Sequence, residues 1–250
     1  MSHHVNIFYM ARKNKPFRRA RAFLLLRRTL YFFKKKPTII NENEDEMTSP
    51  ALYLSNHSGA AGPMDLSIFF PYPFIPWGAH QMTGNYRSRW SYSYHIFYRQ
   101  KLKYSKVRSF ILASLLSIIS KFLYNNMRLI GTYQDLRTTK TIRASVDYIL
   151  RGESILIFPE ESRDGYDDII EKFNPGFVVL ADHLYRSHQL SVPLYPVYYS
   201  KKRRFISIGK KIDYAALADK GLSKMEIADY IRREVNALSH QLMPKKKPHK

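Results

Sequence analysis

The chain has 250 residues, 45% of them hydrophobic and 24% charged, which suits a single globular domain with a sizeable core and excludes a disordered chain. The absence of cysteine excludes a disulfide framework, a thiolate nucleophile and a zinc–thiolate site. Lys and Arg total 41 against 20 Asp and Glu, and a formal charge of +21 implies an anionic partner: nucleic acid, an anionic membrane or a phosphorylated substrate.

The first element is both basic and greasy. Eleven basic residues lie between Arg12 and Lys36, and no acidic residue occurs before Glu42. Phe23, Leu26, Leu30 and Phe33 follow the spacing of one helical stripe, with Leu24 and Leu25 beside it. A basic amphipathic helix of this kind suits a bilayer interface, so residues 1–40 are read as a membrane-associating arm; a helix packed on the domain with a solvated basic face is the plainer alternative. Arg27 and Arg28 interrupt the apolar run and no small-residue cleavage site follows, which argues against a secretory signal. "NENEDEMTSP" (41–50) reads as an acidic linker, residues 50–243 as the domain and 244–250 as a basic tail.

"ALYLS" is an apolar run ending at Asn56 and His57, as expected of a buried strand entering a loop. "FILASLLSIISKFLY" (110–124) falls short of the roughly 20 apolar residues of a spanning helix, which favours peripheral attachment. "MRLIGTY" (127–133) is a second strand, and Ile142, Val146, Ile149 and Leu150 share one face of a helix over 138–151 stopped by Gly152. "SILIFPEES" supplies a third strand that Pro159 ends. Asn174 is placed to cap a helix beginning at Pro175, and "VPLYPVYYS" and "RFISIGKKI" are further strands. Ser223 and Glu226 fit a capping box for a last helix with Ile227, Tyr230, Ile231, Glu234 or Val235, and Leu238 inward. Strands alternating with helices predict an α/β layered domain with a largely parallel sheet, whose functional loops gather beyond the carboxyl ends of the strands.

Two loops begin at such ends. In "SNHSGAAGPMD", His57 is surrounded by small residues that leave room for a ligand, and imidazole suits proton transfer near neutrality. Asp65 is the one carboxylate between Glu46 and Asp135, so it is the candidate partner from the same loop; capping a helix that starts near it is an alternative role. In "FPEESRDG", Arg163 offers a bidentate fork for an anionic oxygen and Ser162 a hydrogen bond, with a charged surface turn as the plain alternative. No pair of His stands at metal-ligand spacing with carboxylates nearby, so no metal site is expected.

"NHS", "FPEESR" and "VPLYPV" resemble, in order and approximate spacing, the motifs of the glycerolipid acyltransferase superfamily, the lysophosphatidate acyltransferase-like enzymes, over roughly residues 50–200. The match is most specific at Phe158, Pro159, Glu160, Ser162 and Arg163. The resemblance implies an O-acyltransferase without a bound cofactor, using acyl-CoA or acyl-ACP (acyl carrier protein) as co-substrate and a lysophospholipid or glycerol-phosphate-type acceptor at the cytoplasmic side of a membrane. It implies His57 as general base with Asp65 as its orienting carboxylate, and Glu160, Ser162 and Arg163 as the residues that hold the acceptor. Three positions depart from the family pattern. The family leaves four residues between His and Asp, a slot that is Gly62 here, whereas seven separate His57 from Asp65. Glu161 stands where the family has Gly, and Gln134, flanked by Arg128 and Arg137, is the nearest position by spacing to the Arg of the family's second motif.

Two rival classes follow from the same residues. A nucleic-acid-binding module would use the charge and the aromatic run "WSYSYHIFYR", but the domain carries no helix-turn-helix, zinc or RNP-type signature, and no nucleic acid is expected. An inactive, lipid-binding relative would account for the altered His-Asp spacing.

Overall fold

The computed structural model describes residues 19–43, 47–59, 62–133, 135–161, 165 and 168–240. The basic tail, Gln134, Ser162 and Arg163 lie outside them, as do the first 18 residues of the arm.

The alternation read from sequence produces a seven-stranded sheet in the order β1-β7-β6-β2-β5-β3-β4. Its strands are β1 (Thr38–Asn41), β2 (Leu52–Ser55), β3 (Ile75–Ala79), β4 (Ile130–Thr132), β5 (Ile155–Ile157), β6 (Leu194–Ser200) and β7 (Phe205–Ile208). Every neighbouring pair is parallel except β6–β7, which is antiparallel. This is the layered, largely parallel α/β architecture that the sequence predicts. β1 and β3 are additions to the strands expected.

Strand side chains alternate between the faces, so each face builds its own core. Leu52, Leu54, Ile155, Ile157, Leu194 and Tyr198 point to one face, where they meet α5 (Thr138–Leu150), α6 (Gly176–His188) and α8 (Lys224–Ala237) through Ile149, Phe177, Leu180, Ile227, Ile231 and Val235. A short α7 (Tyr214–Ala218) adds Tyr214 and Leu217. Tyr53, Leu156, Tyr195, Val197 and Tyr199 point to the other face, against Leu66, Ile68 and Phe69 of α2 (Gly62–Phe69). Because β2, β5 and β6 are covered on both faces, they read as continuous apolar runs.

The local punctuation behaves as its chemistry demands. Ser223 and Glu226 form the capping box of α8, and Val235 rather than Glu234 turns inward. Gly152, at φ +83°, ends α5 in a conformation open to glycine at little cost. Asn174 stands one residue before the N-cap of α6, which is Pro175 and not Asn174 as expected, and its Oδ1 accepts from the Gly176 N–H at 2.9 Å.

The helices Arg21–Phe33 and Lys106–Met127 each expose several large apolar side chains. α1 (Arg21–Phe33) forms where the stripe predicts, but the stripe divides: Phe23 is buried and Leu30 packs on the domain, while Leu25, Phe32 and Phe33 face outward. Between β3 and β4 the chain makes α3 (Tyr86–Ser91), a π-helix (Tyr92–Lys101) and α4 (Lys106–Met127). The inner face of α4 is Ser109, Ala113, Ser117 and Ser120, all buried, and its outer face carries Val107, Ile111, Leu115, Ile118 and Phe122, all exposed. Phe23 packs edge-on against Phe122, and the Ala20 N–H donates to Asn126 Oδ1, so the start of α1 lies on the end of α4. Among the described residues α4 is the one helix long and apolar enough to cross a membrane by length and composition; the expectation of a run too short to span is corrected, because the helix extends beyond 110–124 at both ends, from Lys106 to Met127.

Candidate active site

β2 and β5 are adjacent and parallel with Leu54 opposite Ile157, so His57 and the Phe158–Glu161 segment leave the sheet at the same edge. β6 flanks β2 on the other side, with Ser55 opposite Val197. Asn56 prolongs this pairing with its side chain: the Tyr199 N–H donates to its Oδ1 at 2.8 Å, and its Nδ2 donates to the Tyr199 carbonyl at 3.0 Å. The backbone entering His57 is therefore fixed from both neighbours.

After His57 the chain reverses through Ser58 and Gly59, both at positive φ. Ser58 Oγ accepts from the Lys201 N–H at 3.2 Å. Gly62 then returns so close that a Cβ there would stand 1.8 Å from the His57 carbonyl oxygen. Position 62 can carry no side chain in this arrangement. The glycine found at the carboxylate slot of the resembling family fits this close approach.

The His57 side chain is 19% exposed, and its ring lies 4.8 Å from that of Phe158, centroid to centroid. Glu160 approaches it from the other loop. One oxygen, Oε2, accepts from the His57 backbone N–H at 3.1 Å and stands 3.5 Å from His57 Nδ1. Burial pushes the imidazole below its ordinary value; Glu160 opposes that shift and Lys101, at the end of the π-helix, adds to it. The Lys101 amine is itself lowered by burial, with Glu160 working the other way. Sequence reasoning missed Lys101, because a lysine closing an aromatic helix gives no local sign of facing a distant loop.

Asp65 is buried in the first turn of α2, where the helix dipole favours a carboxylate. Its Oδ2 accepts from the Tyr199 hydroxyl at 2.6 Å and its Oδ1 is paired with Lys34, just beyond α1. The structure thus brings His57 and Glu160 together and gives Asp65 to Lys34 and Tyr199. Buried beside this carboxylate, the Tyr199 hydroxyl is pushed well above the usual phenol range.

Glu161 turns away from His57. Its carboxylate accepts from Asn174 Nδ2 at 2.8 Å and pairs with Lys172 at 2.8 Å. Arg128 reaches Glu153 at 2.5 Å and lies over Tyr148, and Arg137 pairs with Asp135 and lies over Tyr133, so both flanking arginines make local contacts beside the edge strand β4. Among the described residues no group of three His, Cys, Asp or Glu side chains is placed to hold a metal ion.

No family model and no curated protein sequence matches the chain. Its structure does match a solved one: the crystal structure of the 1-acyl-sn-glycerophosphate (LPA) acyltransferase PlsC from Thermotoga maritima superposes with a TM-score of 0.51 at 15% identity, covering 92% of this chain and 80% of that one. The chain has a glycerolipid acyltransferase-like fold. That fold agrees with the motif resemblance at "NHS" and "FPEESR", whose two loops it brings to one edge of the sheet.

Proposed function

We propose that the protein is an O-acyltransferase that moves an acyl chain from acyl-CoA or acyl-ACP to a hydroxyl of a lysophospholipid or glycerol-phosphate-type acceptor at a membrane surface. The observation that carries this reading is the meeting of His57 with the "FPEESR" loop at the carboxyl edge of an acyltransferase-like sheet. His57 is the general base. Its Nε2 takes the proton of the acceptor hydroxyl as that oxygen attacks the thioester carbonyl; the C–S bond then breaks and the imidazolium returns the proton to the leaving thiolate. Burial favours the neutral imidazole that a base requires. Ser162 and Arg163, next in the loop, are the proposed contacts for the acceptor's phosphate.

The second part of the proposal concerns place. The outward residues of α1 and α4 present apolar side chains on a strongly cationic chain, which is the surface chemistry of a protein resting on an anionic phospholipid membrane. One substrate would reach the site from that bilayer and the other from the aqueous phase.

The test is acyl transfer from radiolabelled acyl-CoA and acyl-ACP to a panel of lysophospholipids in liposomes. Wild type is expected to transfer, and His57→Ala, checked for folding by circular dichroism, to lose roughly a hundredfold or more in kcat. Because the folded-state imidazole is lowered, the acid limb of kcat/KM is expected below about 6.5, with a flat profile above it. A wild-type protein that transfers nothing to any acceptor, yet retains lipid, would instead be a lipid-binding relative.

A further inference from the structure

The carboxylate facing His57 comes from the other loop, not its own. We propose that Glu160 is the positioning residue of this histidine, holding Nδ1 so that Nε2 meets the acceptor, while Asp65 serves to tie the arm helix to the domain. The chemical consequence rests on the acyltransferase reading above; the pairing of the two side chains does not.

Four observations carry it. First, position 62, where a family-spaced carboxylate would stand, is pressed against the His57 carbonyl and has no space for a side chain. Second, Asp65 has both oxygens engaged elsewhere, one by Lys34 and one by Tyr199, in a buried setting where a carboxylate left without partners is costly. Third, the Glu160 side chain is only 4% exposed, and its Oε2, which accepts from the His57 backbone N–H at 3.1 Å, stands 3.5 Å from the ring Nδ1.

Fourth, the loop holding Glu160 is itself fixed. Glu160 bridges Phe173 in an isolated antiparallel pair, the Asn174 N–H donates to the Pro159 carbonyl at 2.7 Å, and the Glu161 N–H donates to the Lys172 carbonyl at 3.1 Å. Such bracing is what a group that orients another requires. A role for Glu160 on the acceptor's phosphate is disfavoured by elementary electrostatics, since carboxylate and phosphate repel. Lys101 is a further charged group that acts on His57, and Phe158 is a ring packed on it. With the carboxylate supplied from the end of β5, the number of residues after His57 no longer has to bring an acid back to it. The lengthened "SNHSGAAGPMD" loop is then a consequence of where the partner sits.

The decisive measurement is the ring-nitrogen ¹⁵N spectrum of His57 in the full chain, with its signals assigned by their loss in His57→Ala, followed across pH in wild type, Glu160→Gln, Glu160→Asp and Asp65→Asn. In neutral wild type the proton is expected on Nδ1, facing Glu160, with Nε2 bare. Glu160→Gln, which keeps an acceptor for the backbone N–H, is expected to lower the His57 midpoint by about one unit, Glu160→Asp to restore part of it, and Asp65→Asn to leave it in place. An Nε2–H tautomer in wild type, or a midpoint that moves in Asp65→Asn and not in Glu160→Gln, overturns the pairing. The wild-type tautomer decides even where a variant fails to fold. In acyl transfer, Glu160→Gln is expected to lower kcat roughly a hundredfold with acceptor KM unchanged; a raised KM at unchanged kcat returns Glu160 to acceptor binding and overturns the proposal. A wild type without transfer activity would sink the acyltransferase reading and leave the spectroscopic answer standing.

Discussion

Two helices of this protein are built on opposite plans. α8 buries Ile227, Ile231 and Val235 against the sheet and turns Lys224, Arg233 and Ala237 outward, with a capping box at its start. α4 buries serines and an alanine and turns isoleucine, leucine, valine and phenylalanine outward. Its inner face is held by polar contacts in place of apolar ones. The buried Arg89 of α3 donates to the Ser117 carbonyl at 3.0 and 3.2 Å and to the Gly84 carbonyl at 2.5 Å, and Trp90 Nε1 donates to Ser114 Oγ at 3.0 Å. A helix is apolar toward the medium that is apolar. For α8 that medium is the protein core; the apolar side of α4 is left exposed.

The contrast can be broken at its core end first. Ile231→Ala on α8 is expected to cost about 2–5 kcal/mol, because Ile231 is fully buried and the sheet beneath cannot close the cavity. Denaturant unfolding would show this as a lower midpoint at unchanged slope. Ser117→Leu on α4 is expected to cost less, about 1–3 kcal/mol, through overpacking against Arg89, although it makes the helix more apolar. A stabilising effect of leucine at 117 would mean that the inner face of α4 has room and that its serines are not chosen for close approach.

Which parts of this plan could be read from sequence follows from where the information lies. β2, β5 and β6 were legible because burial on both faces makes them continuous apolar runs, and α8 because its cap and its stripe are local. β3 was not, since Pro76 and Gly78 inside "IPWGA" argue against a strand until its neighbours β5 and β4 are known. The apolar spacing along α4 is equally helical whether the face turns in or out, so sequence gave the helix without its orientation. At the site, the two loops that carry His57 and Glu160 were read as lying on one edge of the sheet, and the parallel pairing of β2 with β5 places them there. Their pairing was not legible, because it depends on β2 and β5 being neighbours at a register that brings 57 beside 160. Likewise Lys34 read as one more charge on a basic, membrane-associating arm. Its partner Asp65 is 31 residues away, and only the docking of α1 on α2 reveals the contact.

The smallest expected effect on folding gives the sharpest form of the comparison. Ile118 on α4 is 67% exposed and Met225 on α8 is 54% exposed, so replacing either with Glu removes no core contact and is expected to leave unfolding within about 0.5 kcal/mol of wild type. The two substitutions should separate when anionic phospholipid vesicles are added. Burying an exposed isoleucine in an interface is worth roughly 1.5–3 kcal/mol, and a carboxylate there also meets like charge, so Ile118→Glu should lower vesicle partitioning about tenfold or more. Met225→Glu adds the same charge to the outward side of a helix whose apolar face is already satisfied by the core, and should change partitioning little. Equal losses from both would mean that net charge alone sets binding. No loss from Ile118→Glu would mean that the outward face of α4 meets something other than lipid. A loss confined to α4 would establish that the reversed helix, and not the cationic composition by itself, is what holds the site at the bilayer.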